Sequence, residues 1–387
     1  MNHVCLVSDQ PMPNFLPILN KRLKPESVTL VVSERMRARA EWLKREIAKH
    51  QVTILDDIDI GGSAGDIAAL DAKLTAWVDA HPGLVKTSVL NVTGGTKPMA
   101  IAAQEVFRMA DRPVFYVDIA TDTVSWVPGH MPSERLENSP TLSQLLGLNG
   151  ISIVSGDFRS NVENDKWRHF CEEISHDPRE WALSLGALNA LASASVDAFE
   201  RARGTRAEQA ALRFSPGERE MELPRWNEML EMLGADELVD GRIAGMRFVS
   251  CEAARFCAGI WLEHHVFALL KRFGFDRKRA LMNARIVDSR GNENELDSVA
   301  IHRNTCYVIE DKTKNMKVRA GNQGNVADAA VYKLAQISKN LGLRTRGILV
   351  SARPVRPVDK ERAKAYGVDV IDWLPDLERE LKRIIGC

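Results

Sequence analysis

The 387-residue chain has no net charge: Lys+Arg and Asp+Glu stand at 52 each. That argues against a protein coated in basic charge for nucleic-acid binding, though not against a local basic channel. Cysteine is sparse and scattered, at positions 5, 171, 251, 257, 306 and 387. There is no C-x-x-C pair and no zinc-type spacing, so neither a disulfide framework nor a zinc site is expected. Lone thiols in apolar runs read as buried cysteines of a reducing cytoplasm. No run reaches the roughly 18–20 apolar residues of a membrane span. The opening Met1-Asn2-His3-Val4-Cys5-Leu6-Val7 reads as a strand without the basic flank of a signal peptide. A cytoplasmic protein with no membrane partner is therefore expected. The Walker pattern G-x-x-x-x-G-K-[ST], the dinucleotide pattern G-x-G-x-x-G and H-E-x-x-H are all missing, as are internal repeats.

What is present begins with alternation. Apolar runs at 3–8, 28–33, 51–58, 88–92 and 114–119 are separated by helical patterns at 14–22, 34–50, 64–80 and 97–110. Strands alternating with helices imply parallel pairing and a doubly wound sheet, with ligands held beyond the carboxyl ends of the strands. Two strand ends stand out there. The first gives Ser8, Asp9 and Gln10; the fourth gives Thr93-Gly94-Gly95-Thr96-Lys97-Pro98-Met99 and runs straight into a helix. Glycines let the backbone approach a ligand, and a helix N-terminus offers unpaired N–H groups and a positive dipole end. Thr93, Thr96 and Lys97 add hydroxyls and a charge. This is an anion-binding turn, best suited to phosphates.

The second constellation lies near the other end. Asn294-Glu295-Leu296-Asp297 precedes one apolar run, and Val308-Ile309-Glu310-Asp311-Lys312-Thr313 closes the next. Alternation turns Glu310 and Lys312 to one face and Asp311 to the other. If the two strands pair, Asp297 reaches the same corner. Two carboxylates can then hold a divalent cation, magnesium or manganese rather than zinc. A lysine beside it can orient a water or stabilise developing negative charge, which suits phosphodiester hydrolysis. On these residues alone, a solvated Glu/Lys pair is an equally good reading. The flanks add context: an apolar helix at 256–272 carries Glu263, and a helix at 321–341 and a strand at 347–351 follow. Lys312, Lys314, Lys317, Arg319, Lys333 and Lys339 form a basic cluster nearby. Between the two ends, helical patterns at 167–175, 181–201 and 219–233 and a hairpin or wing at 241–248 carry no obvious chemistry.

Asp297 with Glu310-x-Lys312 resembles the PD-(D/E)xK nucleases of restriction-endonuclease-like fold. Thr93 to Met99 resembles the CARF domains of CRISPR-associated proteins, and the two in this order resemble the stand-alone CARF nucleases of type III CRISPR systems. The resemblance implies an α/β protein with three parts. These are a Rossmann-like CARF domain at 1–140, a mostly helical, winged-helix-like connector at 141–250, and a nuclease domain at 251–387. It implies a homodimer whose paired CARF domains bind a cyclic oligoadenylate, typically cyclic tetra-adenylate, and whose nuclease domains then cut DNA, RNA or both with a divalent metal, often manganese. Carried over residue by residue, Ser8, Asp9, Gln10, Thr93, Gly94, Gly95, Thr96, Lys97 and Met99 would line the ligand pocket. Asp297, Glu310 and Lys312 would be catalytic, with Asp297 and Glu310 on the metal and Glu263 an extra metal ligand or water orienter. The chain departs from the pattern at Asp311, where a Cys or small residue is common and where a side chain aimed off the site should matter little. It departs also at Pro98, which a helix's first turn tolerates.

Two other functions stay open at this level. Thr96 and Lys97 could cut the messenger itself. The middle region could make the chain a ligand-sensing DNA-binding regulator, although no basic recognition helix is evident.

Overall fold

The structure, a computed structural model, describes all residues except 128–131, 161, 163–166, 242–244, 315–325 and 343. Lys317 and Arg319 of the expected basic cluster fall outside the described residues.

Asn2–Leu6 is buried along its whole length and lies in the middle of the N-terminal sheet. Residues of alternate parity enter different cores. Cys5 and Val7 join Phe15, Leu30, Leu43 and Phe115 on one face, and Val4 and Leu6 join Leu70, Leu90, Met99 and Phe107 on the other. A strand buried on both faces must be covered by helices on both, as the continuous apolar run predicts. The strand order is Thr53–Ile54, Ser27–Ser33, Asn2–Leu6, Ser88–Asn91, Val114–Asp118, Thr123–Val127, Glu134–Arg135, with Ile58–Gly61 also on Ser27–Ser33. Pairing is parallel as far as Val114–Asp118 and antiparallel beyond it. The chain leaves the first strand toward one edge and later returns to its other side, which opens a crevice at the carboxyl ends of Asn2–Leu6 and Ser88–Asn91. The single strand expected at 51–58 is instead two short pieces. Asp57 interrupts them, its carboxylate taken by the Lys44 ammonium at 2.6 Å.

The C-terminal sheet runs Val368–Ile371, Thr345–Ser351, Thr305–Lys312, Glu293–His302, Ala280–Val287, Ser152–Asp157. Its last member comes from the connector, which is otherwise mostly helical as expected: Ser152–Asp157 pairs antiparallel with Ala280–Val287. The connector also holds a small sheet in which Val239–Asp240 pairs with Met246–Phe248, the expected hairpin, joined by Arg213–Phe214. One face of the C-terminal sheet, with Val308 and Val299, shares a core with the N-terminal domain. The other, with Tyr307, Ile309 and Ile348, packs on Trp226, Trp261, Phe170 and Phe256 of the connector and helix layer.

One helix differs from expectation, and another, found as expected, has an unusual composition. The pattern at 256–272 breaks at Gly259, whose φ of 140° puts a π turn, Phe256–Ile260, before the regular helix Trp261–Arg272. A Cβ at Gly259 would lie 2.5 Å from the Thr313 hydroxyl, so the turn lets the helix pass the strand that carries Lys312. Ala182–Ala202 is long and apolar enough, by composition, to cross a membrane. Here it buries Leu185, Leu188 and Ala192 in the connector core, and its alanines and leucines account for its mean hydropathy.

Gly94 is required by packing. A Cβ there would stand 1.9 Å from the Leu6 carbonyl oxygen. Gly94→Ala is predicted to cost about 1–3 kcal/mol of stability through a forced backbone shift. Urea melts of the two proteins check this, and coincident curves would show that the two strand ends can move apart freely.

Candidate nuclease site and ligand cavity

Thr305–Lys312 pairs antiparallel with Glu293–His302 as far as Ile309 opposite Ser298. Just past that point the Asp311 amide donates to the Asp297 carboxylate at 2.8 Å. The side chain thus takes an amide at the place where the backbone ladder stops, and this holds Asp297 against the carboxyl end of its neighbour. Glu310 and Lys312 share a face, as alternation requires. The Lys312 ammonium is 2.5 Å from one Glu310 oxygen and 3.6 Å from Asp297. It also donates to the Asp311 carbonyl at 3.1 Å. The structure therefore brings Asp297, Glu310 and Lys312 together.

A residue that sequence reasoning placed only in a general basic cluster completes this corner. Lys333, from the helix Val326–Leu341, puts its ammonium 2.7 Å from the other Glu310 oxygen. Glu310 itself is 3% exposed. A carboxylate so buried must be paired, and here each oxygen has its own ammonium.

Electrostatics tie Glu263 to the same group. Burial first, then Asp297, raise its carboxyl to about 8, against the pull of Lys312. Burial and the Glu310 charge also raise Asp297. Burial alone would lower Lys312, but Asp297 and Glu310 outweigh it and hold the ammonium above its ordinary range. Asp311 lies where alternation places it, off the Glu310 face, and the face it meets is packed rather than solvated. Both its oxygens are buried, without a hydrogen-bond partner among the described residues. Burial, then Asp297 and Glu263, push it well above the usual carboxylate range, so the neutral form is favoured.

The oxygen donors of Asp297 and Glu310 are those that magnesium or manganese accepts, since such ions commonly take one or two carboxylates and complete their shell with water and phosphate oxygens. Among the described residues no three His, Cys, Asp or Glu side chains form a finished metal cage. The residues fit a two-carboxylate cation site, provided the ammoniums on Glu310 give way. A cleft of about 700 Å³ opens beside this corner, walled by Ala182, Gly186, Ala258, Thr313, Lys314 and Arg353.

At the other end, a cavity of about 490 Å³ sits in the crevice at the strand ends, walled by Ser8, Asp9, Gly95, Thr96 and Met99 with Ser33, Arg35, Gly61 and Gly62. The last four were missed, because only the topology brings the ends of Ser27–Ser33 and Ile58–Gly61 to that crevice. The remaining expected pocket residues are placed differently. Thr93 accepts from the Val117 amide and donates to Asn91, both at 2.7 Å, so it ties strands together behind the wall. Gly94 packs on Leu6. Lys97 is exposed and off the wall, and Gln10 faces a separate crevice shared with Leu341, Gly342 and Arg344. Thr96 caps the helix Lys97–Met109, accepting from the Met99 amide at 3.3 Å, while its hydroxyl donates to the Ala64 carbonyl at 2.5 Å.

Family models match both halves: the Card1 CARF domain over residues 2–143 and the Card1-like endonuclease domain over residues 250–385. The chain joins a Card1 CARF domain to a Card1-like endonuclease domain. It is thus a CARF-domain endonuclease of the Card1 kind. Its fold is shared by protein VC1899 from Vibrio cholerae, at TM-score 0.86 and 23% identity over 100% of this chain and 98% of that one. Can2 from Sulfobacillus thermosulfidooxidans, solved in complex with cyclic tetra-adenylate, matches at TM-score 0.77 and 23% identity over 100% and 97%. A type III CRISPR defence DNA nuclease activated by cyclic oligoadenylate matches at TM-score 0.55 and 18% identity, covering 99% of this chain and 52% of that one. No curated protein matches the chain by sequence.

The Glu263 carboxyl gives a signed pH prediction. Without metal, the folded chain keeps a proton that the unfolded chain has lost, so stability falls as pH rises from 4.5 toward about 8. The slope from one such group is at most about 1.4 kcal/mol per pH unit. Glu263→Gln should flatten this part of the stability–pH curve in chelator-treated protein. An unchanged slope would mean that Glu263 is already ionised at neutral pH.

Proposed function

We propose that this CARF nuclease is a homodimeric, divalent-metal-dependent enzyme that cuts DNA and/or RNA when a cyclic oligoadenylate, cyclic tetra-adenylate first among them, fills the N-terminal cavity. Its setting is cytoplasmic antiviral defence, with the sensing, connecting and cutting parts at 1–140, 141–250 and 251–387. The observation that carries the reading is the corner formed by Asp297, Glu310 and Lys312 in the endonuclease domain. The cavity at the strand ends of the CARF domain supports the gate, as does Can2's capture in complex with cyclic tetra-adenylate.

Asp297 and Glu310 would hold the cation, preferably manganese or magnesium. When bound, the ion supplies Lewis acidity at the phosphoryl oxygen and a more acidic water. The chain's own residues do the rest. Lys312, held cationic by its two carboxylates, offers a charge to the oxygen that becomes negative at phosphorus. Glu263, its carboxyl raised to about 8 by burial and by the Asp297 charge, would orient a water. Thr313 and Lys314 follow Lys312 directly into the 700 Å³ cleft, which gives the substrate backbone a route past the site. At the cavity, Gly61, Gly62 and Gly95 present bare backbone to a phosphate, and Arg35, Arg39 and Asp9 form an ion-pair rim. A cyclic tetranucleotide has two-fold symmetry, as does a C2 dimer, so two such cavities can share one ring. Cutting of the ring by the CARF half is the weaker reading, because the Thr96 hydroxyl is engaged with Ala64 and Lys97 stands off the wall.

The test is cleavage of supercoiled plasmid and labelled single-stranded RNA with manganese, with and without cyclic tetra-adenylate, beside Glu310→Ala. The expected outcome is ligand-dependent cutting that the variant loses by at least about a hundredfold. Cutting indifferent to the ligand would remove the gate. Cutting that survives Glu310→Ala would move the active site elsewhere.

A further inference from the structure

The helix Val326–Leu341 touches both functional ends of the molecule. Its apolar stripe, Ala327, Ala330, Val331, Leu334, Ile337 and Leu341, is buried at helical spacing against the strands Thr305–Lys312 and Thr345–Ser351. Lys333 projects from its open side to Glu310. At its carboxyl end, Leu341 and Gly342 wall a tight crevice with Asp9, Gln10, Pro11 and Met12, the turn that leaves the first strand of the CARF domain. Gly342, at φ 109°, packs on the Asn149 amide, and Arg344 donates to the Ile119 carbonyl. Asp9 also walls the cavity at the strand ends. One element therefore runs from a crevice that shares Asp9 with the sensing cavity to the Lys333–Glu310 pair. Lys333 and Leu341 are eight residues apart, or about 12 Å along the axis.

The two ammoniums on Glu310 are not equivalent. Lys312 sits on the same strand and is also held by Asp297 and the Asp311 carbonyl. Lys333 comes from a separate element, its side chain is 40% exposed, and among the described residues Glu310 is its acidic partner. A cation cannot bind the same Glu310 oxygen while an ammonium stands 2.7 Å from it. Of the two, Lys333 can leave for solvent without disturbing the strand.

We propose that Lys333 is a latch: its ammonium occupies the cation's place on Glu310 in the ligand-free molecule, and movement of the helix Val326–Leu341, driven from the Ser8–Met12 turn, takes it away. This rests on the reading of Asp297 and Glu310 as the metal site. It assigns that site a resident competitor, and Val326–Leu341 becomes the part of the chain through which the two ends are coupled. Coupling of this kind requires that the messenger favour the withdrawn state, since a ligand indifferent to the two states shifts nothing.

The test uses the full chain without nucleic acid and reads manganese affinity by titration calorimetry. Lys333→Met should bind manganese about tenfold tighter than wild type, and Lys333→Arg, which keeps the charge, should stay near wild type. Cyclic tetra-adenylate should tighten manganese binding in wild type and leave Lys333→Met nearly unmoved. Wild-type affinity in Lys333→Met would overturn the latch, and a messenger effect of equal size in both proteins would overturn the helix as its driver. Glu310→Ala separates the two levels of the argument. Loss of manganese binding upholds the site, so that a null result at Lys333 then counts against the latch alone. Binding that survives Glu310→Ala would bring down the site and the latch together.

Discussion

Glu310 is a carboxylate that water cannot reach, and much of the C-terminal domain is arranged around that fact. Burying an ion without partners is unaffordable, so its two oxygens must be met by positive charge. One ammonium comes from two residues along the same strand and the other from the next helix. Asp297 is brought beside them by accepting an amide at the end of the ladder. Glu263 and Asp311 sit close enough to feel the same negative charge and are pushed toward their neutral forms. The outcome is close to balance: two charged carboxylates against two ammoniums, with two further carboxyls in reserve. A site of this composition is poised to exchange an ammonium for a metal ion, because the exchange needs no new charge of opposite sign from elsewhere.

The N-terminal half depends on a different economy, that of backbone ends. Asn14 donates to the Leu6 carbonyl at 2.8 Å, and Asn91 donates to the Pro13 carbonyl and to Asn14. Thr93 and Gly94 belong to this bracing. What the sequence presents as one phosphate-binding turn is thus two things in series. Its first residues hold two strand ends together, and its later residues, Gly95, Thr96 and Met99, face the cavity.

That division shows what could be read without coordinates. Period-two alternation placed Glu310 and Lys312 on one face, and the turn ending in Lys97 and Pro98 marked where the helix begins. Both are local rules, and both describe the structure. The failures are all non-local. Gly61, Gly62 and Arg35 reach the cavity only because parallel strands end at one edge. Lys333 reaches Glu310 only because a helix packs back across its own strand. The fate of Asp311 depended on what covers the far face of the sheet, which alternation does not reveal. The kink at Gly259 looked like plain helix, since one glycine in an apolar pattern gives no hint that Thr313 will need the room. Ser152–Asp157 escaped notice because it is polar and mostly exposed, as edge strands often are.

That edge strand has a consequence for how the molecule can be divided. The endonuclease match begins at residue 250, but the sheet it describes is closed off by residues a hundred positions earlier. A fragment starting at 250 would leave Ala280–Val287 with a bare row of amides and carbonyls, ready to pair with any other copy in reach. The matched endonuclease stretch therefore does not contain the whole of its own sheet. Recombination that swapped one sensor for another would have to break the chain ahead of Ser152, inside the stretch that joins the two halves.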